Sequence, residues 1–86
     1  MRNIIFQTEA FLEYSDWAIT DIKKYSRIGK LIKEASREPF KGLGKPEPLK
    51  GNLKGYWSRR IDDENRLIYK VDDTSITITS CLGHYF

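Results

Sequence analysis

Apolar and polar positions change period twice along the chain. Residues Arg2 to Gln7 have an apolar centre, Ile4-Ile5-Phe6, and read as a short strand. From Thr8 the period becomes helical. Thr8 can cap a helix with Glu9 in its first turn, and Phe11, Tyr14 and Ala18 then recur at helical spacing with Leu12 and Ile19 alongside. Thr20-Asp21 reads as a second cap after a very short break. Beyond it Ile22, Tyr25, Ile28, Ile32 and Ala35 line one face, with Leu31 beside them. Pro39 ends this helix, because proline disfavours helical geometry in the residue before it.

Lys41 to Gly51 carries two prolines and three glycines and reads as a loop, long for so small a chain. A period of two follows. Tyr56 to Ile61 is a strand and Asp62-Asp63-Glu64-Asn65 a turn. Arg66 to Val71 is the next strand, with Leu67, Tyr69 and Val71 on one face and Arg66, Ile68 and Lys70 on the other. Asp72-Asp73 turns the chain into a strand from Ser75 to Cys81, with Ile76 and Ile78 inward and Thr77, Thr79 and Cys81 opposite. The order β-α-α-β-β-β predicts an α+β fold: a twisted antiparallel sheet with an N-terminal helical hairpin packed on one face.

The 86 residues predict a single domain over 1–86. A domain of this size buries roughly 60–65% of the surface of its unfolded chain, which favours an open groove over a deep pocket. An open groove suits a polymer. With 40% hydrophobic and 31% charged residues, disorder is excluded. No apolar run approaches the about 20 residues of a membrane span, and the N-terminus lacks the features of a signal peptide. A cytoplasmic protein with no membrane association is expected. Cys81 is the single cysteine and can form no internal disulfide; with one histidine it makes no structural zinc site. Neither metal nor cofactor is expected.

The net charge of +3 matters less than its placement. Residues 8–38 balance to zero and residues 61–86 sum to −3. Residues 41–60 hold Lys41, Lys45, Lys50, Lys54, Arg59 and Arg60 against Glu47 alone. Such a stretch fits a surface that meets phosphates, and equally a solvated basic loop. Lys45, Lys50, Lys54, Arg59 and Arg60 are the expected contacts to RNA or the ribosome.

Three side chains could carry RNA cleavage. The reaction needs a base for the ribose 2′-OH, an acid for the leaving 5′-oxygen and a cation for the phosphoryl charge. Glu47 is a carboxylate among cations, flanked by Pro46 and Pro48, which restrict its backbone. Arg66 offers a planar fork of donors on a strand. His84 has the one reference pKa near neutrality. Tyr85, Tyr56 and Trp57 could stack bases. Each has a plainer reading as a surface or packing residue, and composition and spacing stop at a small cytoplasmic α+β domain with a basic loop that could bind RNA. A catalytic pairing of Cys81 with His84 is disfavoured, because three positions apart on a strand they face opposite sides. Cys81 reads as a small hydrophobe.

The segments Gly44-Lys45-Pro46-Glu47-Pro48-Leu49-Lys50, Trp57-Ser58-Arg59-Arg60-Ile61, Asn65-Arg66-Leu67-Ile68-Tyr69 and Gly83-His84-Tyr85 occur in that order. Together they resemble the YoeB toxins over nearly the whole chain. The resemblance implies a RelE-like fold and a ribosome-dependent endoribonuclease that cuts mRNA in the A site. It implies Glu47 as general base, His84 as general acid, Arg66 as transition-state stabiliser and Tyr85 as the tyrosine that orders the site. Lys50 matches a basic residue near the scissile phosphate. The implied partners are a YefM-type antitoxin, the bacterial ribosome, mRNA and a second copy in a homodimer. Phe86 departs from the pattern, since the His-Tyr pair usually ends the chain. Two alternatives use the same basic loop: an RNA- or ribosome-binding inhibitor without catalysis, and a purely regulatory partner in an antitoxin repressor complex.

Overall fold

The computed structural model of the chain describes residues 1–83. Strand β1 (Asn3–Phe6) leads into helices α1 (Thr8–Thr20) and α2 (Ile22–Arg37). A long connection contains the two-residue strand β2 (Glu47–Pro48) and a 3-10 turn at Gly51–Leu53. Strands β3 (Tyr56–Arg60), β4 (Arg66–Val71) and β5 (Ser75–Ser80) follow. The five strands form one sheet in the order β1-β5-β4-β3-β2.

Two features of this sheet depart from the sequence reading. The sheet is mixed rather than antiparallel throughout, because β1 runs parallel to β5, with Asn3 opposite Ser75 and Phe6 opposite Ile78. A parallel neighbour requires a crossover, and the helical hairpin supplies it by packing on β1 and β5. The basic loop also contributes an edge strand. β2 pairs antiparallel with β3, Glu47 opposite Ser58 and Pro48 opposite Trp57. An edge position tolerates Pro46 and Pro48, since no further strand needs their missing N–H groups.

The helices are placed by different means. Asp21 caps α2: its carboxylate accepts the N–H groups of Lys23 at 3.1 Å and Lys24 at 3.2 Å. Thr8 does not cap α1. It is the first helical residue, after Gln7, whose side chain makes no capping bond. The start of α1 is set by the sheet, where the Gln7 N–H donates to the Ile78 carbonyl at 3.0 Å. The inward stripe of α1 is Ala10, Tyr14 and Trp17, whereas Phe11, Leu12, Ala18 and Ile19 are exposed. Trp17 is drawn inward by a polar contact as well as packing: its indole N–H donates to the Cys81 carbonyl at 2.8 Å.

Helix α2 carries the stronger apolar face. Ile28, Leu31, Ile32 and Ala35 are buried with Leu67, Tyr69, Ile76 and Ile78 of the sheet, while Ile22 stays exposed. Each buried aliphatic side chain of this kind contributes roughly 1.5–3 kcal/mol. Cys81 joins the same core instead of facing away from Ile76 and Ile78, because it lies past the end of β5, where strand alternation no longer holds. Both hairpin turns close on an aspartate. Asp62 accepts the N–H groups of Glu64 and Asn65, and Asp72 those of Thr74 and Ser75.

Asp21→Ala should therefore lower the unfolding free energy by about 1 kcal/mol through the lost cap, and Thr8→Ala by much less. Urea unfolding of the two variants side by side checks the contrast.

Candidate active site

The pleat sorts β2, β3 and β4 into two faces. One face points to the helices and carries Arg59, Leu67 and Tyr69, all fully buried. The other carries Glu47, Ser58, Arg60, Arg66 and Ile68, aligned by the pairings of Glu47 with Ser58, Ser58 with Ile68 and Arg60 with Arg66. The strand register thus joins residues of the basic loop and of β4, which are separated along the chain.

On that second face the Glu47 carboxylate lies 3.9 Å from the Arg66 guanidinium, with side-chain exposures of 51% and 19%. Arg66 Nε is buried and has no hydrogen-bond partner among the described residues, as is true of the Ser58 hydroxyl. Ser58 sits between Glu47 and Ile68 across the strands. The sequence reading did not single it out. Strand alternation puts it on the sheet face away from the helices, so no sequence signal marked it as buried.

The basic residues divide. Lys45, Lys50 and Lys54 are exposed. Arg60 is half-buried and pairs with Asp63 at 3.2 Å. Arg59 overturns its expected role as an RNA or ribosome contact, since it has 0% exposure. Its Nε donates to the Tyr69 hydroxyl at 2.9 Å, and its Nη1 to Glu34 at 3.1 Å and the Leu43 carbonyl at 3.0 Å. Its Nη2 donates to the carbonyls of Glu38 at 2.6 Å and Lys41 at 3.1 Å. Tyr69 adds a bond from its hydroxyl to the Pro39 carbonyl at 2.6 Å. The positive charge therefore organises the loop from beneath, where adjacent Arg59 and Arg60 face opposite sides of the strand.

Local chemistry follows from these contacts. The Leu43 N–H, with the Arg59 guanidinium, holds Glu34 below the usual carboxylate range against the opposing effect of desolvation. Burial pushes the Tyr69 hydroxyl up, with Arg59 opposing. Gly44 must be glycine: its φ is +81°, and a Cβ would meet Leu31 at 2.9 Å and Arg59 at 3.0 Å. Burial, followed by the Glu13 charge, raises the Cys81 thiol to about 12, which makes it a packing group and not a nucleophile.

His84 and Tyr85 lie outside the described residues. Gly83 does not, and it is tied to the site: its carbonyl accepts the Arg66 N–H at 3.0 Å. Among the described residues no three His, Cys, Asp or Glu side chains gather to hold a metal ion. No helix is long and apolar enough to cross a membrane.

A helical hairpin on a five-stranded mixed sheet is a toxin fold: the YoeB/ParE toxin from Agrobacterium tumefaciens superposes with a TM-score of 0.92 at 41% identity, covering 96% of this chain and 99% of that one. The family model that matches residues 6–85 is that of the YoeB-like toxin of bacterial type II toxin–antitoxin systems. A Toxin YoeB of Streptomyces coelicolor is 51% identical over 82 residues, covering 95% of this chain and 98% of that protein. Two structures from Staphylococcus aureus superpose closely. The YoeB dimer has a TM-score of 0.89 at 47% identity, covering 98% of each chain, and the YoeB–YefM complex 0.87 at 45%, covering 99% of each. The chain belongs to the YoeB toxin family.

Arg59→Met should remove about 3–5 kcal/mol of stability by leaving its buried partners unpaired, whereas Arg60→Met should remove less than about 1 kcal/mol. Urea denaturation separates the two. Acid stability gives a second check. Burial pushes the Asp62 carboxyl up, but the Glu64 N–H, the Asn65 side-chain amide and N–H, and Lys24 outweigh it and bring it down to about 2. Because this lies below the ~3.9 of an unfolded aspartate, the stabilisation is complete above about pH 4 and is lost as pH falls towards about 2. Asp62→Asn should be less stable at neutral pH and decline less steeply between pH 4 and 2 in the same assay.

Proposed function

We propose that this toxin is a ribosome-dependent endoribonuclease that cuts mRNA in the A site using side chains alone. The observation that carries the reading is the approach of Glu47 to Arg66 on the sheet face, with the residue before His84 bonded to the Arg66 backbone. An incoming phosphodiester competes with Glu47 for the guanidinium. The carboxylate then takes the proton of the ribose 2′-OH, whose oxygen bonds to the adjacent phosphorus. The bond from phosphorus to the 5′-oxygen breaks, and His84 protonates that oxygen. Arg66 stabilises the charge on the phosphoryl oxygens and Tyr85 orders the site. The products are a 2′,3′-cyclic phosphate and a 5′-hydroxyl. Lys45, Lys50, Lys54 and Arg60 contact ribosomal or messenger phosphates, with Lys50 nearest the cut.

The same reading places the protein in the cytoplasm with its ribosomes. Its partners are a YefM-type antitoxin and a second copy, following the assemblies seen for the Staphylococcus aureus relatives.

The test uses ribosomes programmed with a defined messenger. Glu47→Ala and His84→Ala should each slow cleavage by about 10²–10⁴-fold, and Arg66→Ala by about 10²–10³-fold, with ribosome binding retained. A messenger with 2′-deoxyribose at the cut should resist cleavage. Full translation inhibition by His84→Ala, or cutting of the deoxy-substituted messenger, would overturn the mechanism.

A further inference from the structure

Gly83, the residue before the proposed acid, is held through both of its backbone polar groups. Its carbonyl accepts the Arg66 N–H at 3.0 Å, and its N–H donates to Asn65 Oδ1 at 2.8 Å. The Asn65 amide can present its oxygen to Gly83 in one orientation only. Its Nδ2 donates to both carboxylate oxygens of Asp62, at 3.1 and 3.2 Å, and a flipped amide would set oxygen against oxygen. Asp62 is itself fixed. It accepts the N–H groups of Glu64 at 2.8 Å and Asn65 at 2.7 Å, and it pairs with Lys24 of α2 at 3.3 Å.

The segment leading to Gly83 is held from the other side by α1. Glu13 accepts the Cys81 N–H at 2.9 Å, and Trp17 donates to the Cys81 carbonyl at 2.8 Å. Among the described residues beyond Cys81, Leu82 is held by the neighbouring Ser80 hydroxyl, which accepts its N–H at 3.4 Å and donates to its carbonyl at 3.1 Å, and Gly83 is held by the Asn65 side chain. Gly83 has φ +77°, so its direction is set by these bonds and not by a side chain of its own.

We propose that Asn65, locked by Asp62, is a positioning residue: it fixes the Gly83 backbone beside Arg66, from which the chain continues to His84. The inference rests on the reading of His84 as the acid and extends it to a residue that touches neither substrate nor reacting atoms. Catalytic rates depend steeply on such placement, because a displacement of about 1 Å can cost 10²-fold.

The experiment compares the full-length wild type with Asn65→Ala, Asn65→Asp and the double exchange Asp62→Asn/Asn65→Asp. Asn65→Asp sets a second carboxylate against that of Asp62; the double exchange swaps donor and acceptor while keeping an oxygen towards Gly83. Three quantities are measured: hydrogen exchange of the Gly83 amide, the imidazole resonances of the chain's single histidine, and kcat and KM on programmed ribosomes. Asn65→Ala should speed Gly83 exchange about tenfold, move the His84 resonances and lower kcat about 10–100-fold, with KM little changed. The double exchange should restore all three towards wild type. Wild-type kcat in Asn65→Ala would overturn the proposal, as would a kcat loss with Gly83 exchange and His84 resonances unaltered. A folded double variant without restoration would do the same. If wild type itself fails to cleave, the ribonuclease reading falls, and Gly83 exchange with the His84 resonances then decides the positioning role alone.

Discussion

The Arg59 guanidinium lies in the interior between the end of α2, the loop that follows it and strand β4. Four of its contacts go to residues 34–43 and one to Tyr69. A buried cation is costly unless its donors are satisfied, and these contacts satisfy it with a carboxylate, a hydroxyl and three backbone carbonyls. The loop has few apolar residues with which to anchor itself, so its path is set by where its carbonyls must go. Gly44 continues the tie: it passes close against Leu31 and Arg59, and its carbonyl accepts the Arg60 N–H at 2.7 Å. Once the loop is seated, β2 can pair with β3, and Glu47 is delivered to the sheet face opposite Arg59.

This arrangement makes β3 a two-sided element with different chemistry on each side. Arg59 points inward to organise the loop, while Ser58 and Arg60 belong to the face that carries Glu47 and Arg66. Their roles follow from strand alternation rather than from residue type. The carboxylate and guanidinium then sit on regular, paired strands instead of on a mobile connection. That is the rigid support the proposed reaction would need, because its rate would depend on where groups are held before the substrate arrives.

The far end of the chain is organised by the same economy of backbone groups. Glu13, Trp17 and Asn65 each take a backbone N–H or carbonyl of residues 81–83, and Arg66 contributes its own N–H. The turn between β3 and β4 therefore does more than reverse the chain. Through Asp62 it links α2 to the turn, and through Asn65 it links the turn to the backbone just ahead of His84. Helix α2, the turn and the Gly83 backbone are joined by these bonds.

Much of the architecture was legible in the residues themselves. The α2 face, the Asp21 cap, the two aspartate turns and the inward Leu67, Tyr69, Ile76 and Ile78 are all set by interactions spanning a few positions, which periodicity and capping chemistry report directly. The order of the GKPEPLK, WSRRI, NRLIY and HY segments was equally sufficient to point to the YoeB family. Tertiary structure decided the rest: β1 parallel to β5, Glu47 on an edge strand, Cys81 in the core, Ala10 and Trp17 rather than Phe11 and Ala18 facing inward, and Arg59 buried beside a half-exposed Arg60. Two adjacent arginines look alike along the chain. Which one loses its water depends on Glu34, Glu38, Lys41, Leu43 and Tyr69 converging on one point, and that convergence exists only after distant segments have packed.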